Sequence, residues 1–98
     1  MDFKVLLVPA ARDDLEDITG HISKDNEQAA ERFGNELINR TLSLAQFPQM
    51  ERIVPEIDDP EIREIIHNPY RIVYRVRPVL REIYILRFWH AARGEPFI

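Results

Sequence analysis

Two alternating apolar runs, YRIVYRV (70–76) and EIYILRFWH (82–90), constrain this chain more than any other feature. Both are rich in β-branched and aromatic residues, so they read as strands, joined by a turn at RPVLR. A third run, IREIIH (62–67), precedes them across an NP turn. Together they predict a three-stranded antiparallel meander.

Side chains alternate along a strand. Tyr70, Ile72, Tyr74 and Val76 therefore share one face, expected to meet the core. Arg71, Val73, Arg75 and Arg77 share the other, expected to be solvent-facing and cationic. In the last run Tyr84, Leu86, Phe88 and His90 fall on one face, and Ile83, Ile85, Arg87 and Trp89 on the other. Both faces are largely apolar, which predicts a central strand covered on both sides. Alternation alone leaves open which of them joins the core. Arg63, Ile65 and His67 alternate with Ile62, Glu64 and Ile66 in the first run.

The preceding half is helical. FKVLLV (3–8) reads as a first strand joining the same sheet, and Pro9 suits the first turn of a helix. Ala11, Leu15, Ile18 and Ile22 make one apolar helical face, with Asp13, Asp14, Glu16 and Asp17 in the early turns. Asp25 or Asn26 caps a second helix, whose buried stripe is Ala30, Phe33, Leu37, Ile38, Thr41 and Leu44. Gly34 either admits the first helix closely or faces solvent. Pro48 stops this helix. Residues 48–60 form a proline-rich loop, with a brief extended piece at Arg52–Val54. The order β-α-α-β-β-β predicts an α+β fold in which a helical hairpin packs on one face of a small, mainly antiparallel sheet. Ninety-eight residues fit a single domain, 1–98.

Charge is unevenly spread. Residues 1–60 carry 6 basic and 13 acidic side chains, a balance of −7; residues 61–98 carry 7 arginines and 4 glutamates, a balance of +3. An acidic first half argues against a broad nucleic-acid footprint, so any anion contact should be local to the C-terminal hairpin. Arginine's planar fork suits carboxylate or phosphate. Arginines on an exposed sheet face are also commonly just solvated. There is no cysteine, which excludes disulfides and Cys-based zinc sites. His21, His67 and His90 lack metal-ligand spacing, and no phosphate-loop, nucleophile-elbow or dinucleotide motif occurs. No metal or cofactor is expected. The N-terminal apolar run is too short for a signal peptide or membrane span, so a soluble cytoplasmic protein without membrane contact is expected.

The strand YRIVYRV followed by IYILRFWHAARG, ending in His-x-x-Arg, resembles the ParE/RelE superfamily of toxins from type II toxin–antitoxin modules. PAARDDLEDITGHI and AAERFGNELINRTLSLAQFP resemble the two helices of that family. The resemblance implies a toxin neutralised by a cognate antitoxin, with a role in plasmid stabilisation. Two branches carry different chemistry. RelE-like members cut messenger RNA on the ribosome without a metal, which needs cations at the phosphate and a proton donor and acceptor. Carried over to this chain, that set would be Arg71, His90 and Arg93. Yet Ile62 and Glu64 stand where RelE has lysines, and the tyrosine expected after the last strand is missing. The FWHAARG ending is more similar to the ParE-like branch, associated with poisoning DNA gyrase. On that reading Arg71 bonds across the sheet and His90 holds the end of the last strand. Arg71, Arg75, Arg77, Trp89 and Arg93 form the expected antitoxin or target surface. A third possibility is a member without catalytic activity that only binds its antitoxin.

Overall fold

The computed structural model describes residues 2–98. Strand β1 spans Lys4–Leu7, helix α1 Pro9–Ser23, helix α2 Glu27–Leu42, and a 3-10 turn Ser43–Ala45. Strands β2 (Arg52–Ile53), β3 (Ile62–His67), β4 (Tyr70–Arg77) and β5 (Glu82–His90) follow, and Ala91–Arg93 close as a second 3-10 turn. The five strands form one sheet in the order β1-β5-β4-β3-β2. β1 lies parallel to β5, and every other pairing is antiparallel. The fold is α+β, with the helical hairpin on one face of the sheet. The extended piece expected in the proline-rich loop is β2, an edge strand of two residues.

Local chemistry explains the helix ends. Pro9 opens α1 where its missing N–H costs nothing. Asn26 caps α2, its side-chain oxygen accepting from the Ala29 amide at 2.9 Å. The helices meet at Gly34, where an added Cβ would lie 3.0 Å from Thr19 Cγ2. Close approach, not exposure, is the use of this glycine. Ala11, Ile18 and Leu37 then pack with Leu44 onto Ile65, Ile72, Tyr74, Val76, Ile83, Ile85 and Phe88 of the sheet.

Strict alternation fails in β5. Val73 pairs with Arg87 but Tyr74 pairs with Ile85, so Leu86 is an extra residue at a β-bulge. A bulge of one residue swaps the faces beyond it. Ile83 and Ile85 before it, and Phe88 after it, consequently all turn toward the helices. Leu86 turns the other way, against a second small cluster of Val54, Ile62 and Val73. That cluster corrects the reading of the β4 face opposite the helices. Arg71 and Val73 are buried there, Arg75 is half-buried, and only Arg77 is fully exposed. The cause is the proline-rich loop, which folds over this face and seals Val73 beneath Val54.

Candidate functional site: the arginine hairpin and the groove behind it

Arg71 sits near the middle of a buried ion network. Its Nε donates to Glu64 Oε1 at 2.6 Å, across the β3–β4 pair. Its two terminal nitrogens grip Glu56 of the covering loop at 2.8 and 2.7 Å, and one also donates to the Gly94 carbonyl at 3.3 Å. Arg52 of β2 closes the network on Glu64 Oε2 at 2.6 Å. Two arginines thus face two carboxylates, and the formal charge cancels. Glu64 is fully buried, and such a carboxylate stays ionised only with cations and donors beside it. The Arg71 fork holds the Glu56 carboxyl down at about 2, despite some opposing desolvation. The same hydrogen bonds raise the Arg71 pKa further, so its charge is permanent.

Trp89, paired with Arg71 across β4 and β5, shares this face. It is only 4 % exposed. The Arg93 guanidinium stacks 3.8 Å from its ring centroid, and Arg87 lies 4.9 Å from it. The indole N–H donates to the Gly94 carbonyl at 3.1 Å. That carbonyl therefore serves Arg71 and Trp89 together and pins the C-terminal segment. Arg87 adds a bond to the Phe97 carbonyl at 2.7 Å, and Pro96 is buried between these anchors. Of the five residues expected to form a contact surface, Arg71 and Trp89 are buried, and Arg75, Arg77 and Arg93 remain accessible.

His90 belongs to the other face. It pairs with Tyr70, whose ring meets it edge-on at 5.2 Å, and Tyr70 also packs against Phe33 at 5.8 Å. His90 Nδ1 accepts from the Ala92 amide at 3.1 Å, so the imidazole caps the closing turn. Burial raises the Tyr70 pKa, keeping its phenol neutral. A groove of about 220 Å³ opens here between α1 and β5, lined by Asp17, His21, Tyr70, Phe88, His90 and Arg93 among others. β1 ends opposite Ile85, which leaves the last part of β5 without a strand on that side. The nuclease set is therefore divided. Arg71 is saturated on one face, His90 borders a groove on the other, and Arg93, stacked on Trp89, reaches the rim of that groove. Among the described residues, no group of three or more His, Asp or Glu could hold a metal.

One pairing went unread in the sequence. Asp14 of α1 accepts from Arg87 Nε at 2.7 Å, Arg87 Nη2 at 2.8 Å and the Phe88 amide at 3.0 Å. It thereby ties the helix to β5 and satisfies an edge N–H that β1 does not reach. The signal was present: Asp14 falls between Ala11 and Ile18 on the apolar stripe of α1, where an acid needs a partner. Glu64 gave the same signal, since it shares a strand face with Ile62 and Ile66.

Comparison with known proteins agrees with this arrangement. Residues 5–94 match the family model described as the ParE toxin of the type II toxin-antitoxin system, parDE. A structure of the chromosomal ParDE toxin–antitoxin system from P. aeruginosa superposes with a TM-score of 0.74 at 21% identity, over 90% of this chain and 95% of the other. The crystal structure of the RelBE2 toxin–antitoxin complex from Mycobacterium tuberculosis gives 0.69 at 17% identity, over 92% and 99%. At such identities these two structures share the fold. No curated protein gives a significant match.

Proposed function

The chain belongs to the ParE toxin family of type II toxin–antitoxin systems, and on that premise we propose that it arrests growth by binding a protein target, DNA gyrase, while a cognate antitoxin holds it inactive. The observation that carries this reading is the saturation of Arg71. A ribonuclease of RelE type would need that guanidinium free for a scissile phosphate. Here Glu56 and Glu64 already occupy it, and Gly94 covers it. A phosphate would have to displace a charge-assisted bidentate pair and approach a buried carboxylate of like charge. His90, a second member of that set, borders the groove on the opposite face, and the guanidinium of Arg93 is stacked on Trp89. The geometry thus favours a scaffold for protein contact over a phosphodiester-cleaving centre. Arg75, Arg77 and Arg93 are the accessible cations for such contacts.

The test is direct. Purified protein is added to DNA gyrase and relaxed plasmid, and supercoiling and trapped cleaved DNA are measured. Inhibition at micromolar concentration is the expected result. In parallel, toeprinting of translated message reads ribosome-dependent cleavage. Cleavage abolished by His90→Ala, with supercoiling untouched, would move the chain to the nuclease branch. Growth arrest on induction should be relieved by co-expressing the antitoxin.

A further inference from the structure

The β4–β5 turn carries an exposure that neither the core nor the Arg71 network explains. Val79 is 96 % exposed and Leu80 63 % exposed, at the end of a hairpin whose strands are otherwise well packed. The tip is not loose. Arg81 donates its amide to the Pro78 carbonyl at 3.1 Å, closing the turn, and its own carbonyl accepts from the Lys4 amide at 2.9 Å. The Arg81 guanidinium lies 4.9 Å from the Phe3 ring centroid, a second tie to the N-terminal segment. Pro78 narrows the backbone further. A fixed apolar tip loses little conformational entropy on docking, the property of an anchor residue at an interface.

The surroundings state what such an anchor would meet. Arg75 and Arg77 on the hairpin and Lys4 beside it form a cationic collar, offset in part by Glu61 beside Arg75 and by Glu82 opposite Arg77, on a chain whose net charge is −4. A shallow cleft of about 140 Å³ lies between the tip and Glu61. A collar of this sign around an aliphatic tip is complementary to an apolar pocket rimmed by carboxylates, and it steers approach to an acidic surface. Duplex DNA fits less well, because an aliphatic tip has no apolar pocket to enter on a phosphate backbone.

We propose that the Pro78–Leu80 tip is the target-docking element of this toxin, entering an apolar, carboxylate-rimmed pocket on a protein partner. The proposal rests on the reading that the target is a protein, and it adds where contact is made. The test compares wild type with the double variant Val79→Ser/Leu80→Ser and with Arg77→Glu. All three are assayed for growth arrest on induction, for gyrase inhibition and for melting temperature. The double variant should melt like wild type, because its substituted side chains are exposed, whereas Arg77→Glu, which sets two glutamates opposite each other, should melt slightly lower. The double variant should lose growth arrest and need at least ~10-fold more protein for the same gyrase inhibition, as losing a small apolar anchor implies. Arg77→Glu should weaken inhibition in the same direction, and wild-type inhibition should fall with added salt. Full activity of the double variant overturns the docking site and leaves the gyrase reading intact. Tip-dependent growth arrest without gyrase inhibition overturns gyrase and keeps the docking site, on another protein. Wild-type binding to duplex DNA alone, lost in the double variant, overturns the protein pocket. A wild-type chain that neither arrests growth nor inhibits gyrase overturns both.

Discussion

At the scale of single residues, the Arg71 network makes the firmest demands. Removing Arg71 leaves the Glu64 carboxylate buried with only Arg52 beside it. Arg71→Ala should therefore destabilise the protein by about 3–5 kcal/mol, the range for breaking a buried ion pair. Urea unfolding reads this directly, and an unchanged midpoint would show that the network is not structural. Glu56 adds a pH dependence. Its folded pKa is depressed to about 2 from an ordinary 4.5, so the stability it contributes is complete above about pH 4.5. That contribution is lost as pH falls through the window toward 2. Glu56→Gln should flatten the acid limb of a plot of unfolding midpoint against pH. Arg71 was legible as a special residue because the family pattern marks it. Its partners were harder to read, because a carboxylate's need for a cation shows in the strand pattern while the identity of that cation depends on pairing register. Glu56 lies in a loop with no periodicity, and no pattern pointed to it.

At the scale of elements, the two glycines of the helical hairpin separate cleanly. Gly20 has open space where a Cβ would stand. Gly20→Ala should stabilise α1 by about 0.5–1 kcal/mol through helix propensity. Gly34 faces Thr19 at 3.0 Å, and Gly34→Val should cost about 1–3 kcal/mol by forcing the helices apart. Thermal unfolding of the two variants should shift in opposite directions. The elements themselves were largely readable, since long periodic stripes and alternating runs announce helices and strands. The β5 faces were not. Leu86 belongs to an unbroken apolar run, and a bulge inside such a run leaves hydrophobicity unchanged while reversing which side chains point inward. Only pairing with β4 reveals it.

At the scale of the whole molecule, the C-terminal segment fastens the face opposite the helices. The Gly94 carbonyl accepts from Arg71 and Trp89, and the Phe97 carbonyl accepts from Arg87. Deleting residues 95–98 should leave the helical side intact yet speed hydrogen exchange of the Trp89 indole and lower the melting temperature; an unchanged exchange rate would show that the segment is not a clasp. The division of charge, acidic first half and basic hairpin, was plain in the sequence. That the loop 54–61 would cover half of the expected cationic face was not, because loop coverage depends on where a chain with little periodicity settles.

The parallel pairing of β1 with β5 has a consequence in time. β5 lies between β1 and β4, and Lys4 meets Glu82, so nearly the whole chain must be synthesised before the first strand finds its neighbour. Ile83, Ile85 and Phe88 complete the main core and come in the same late stretch. A nascent chain still short of β5 has helices without a finished sheet to rest on, and such long-range pairing is slow to form. Until β5 has been made, a growing polypeptide has neither its finished core nor the Arg71–Trp89 pair against which the closing turn rests.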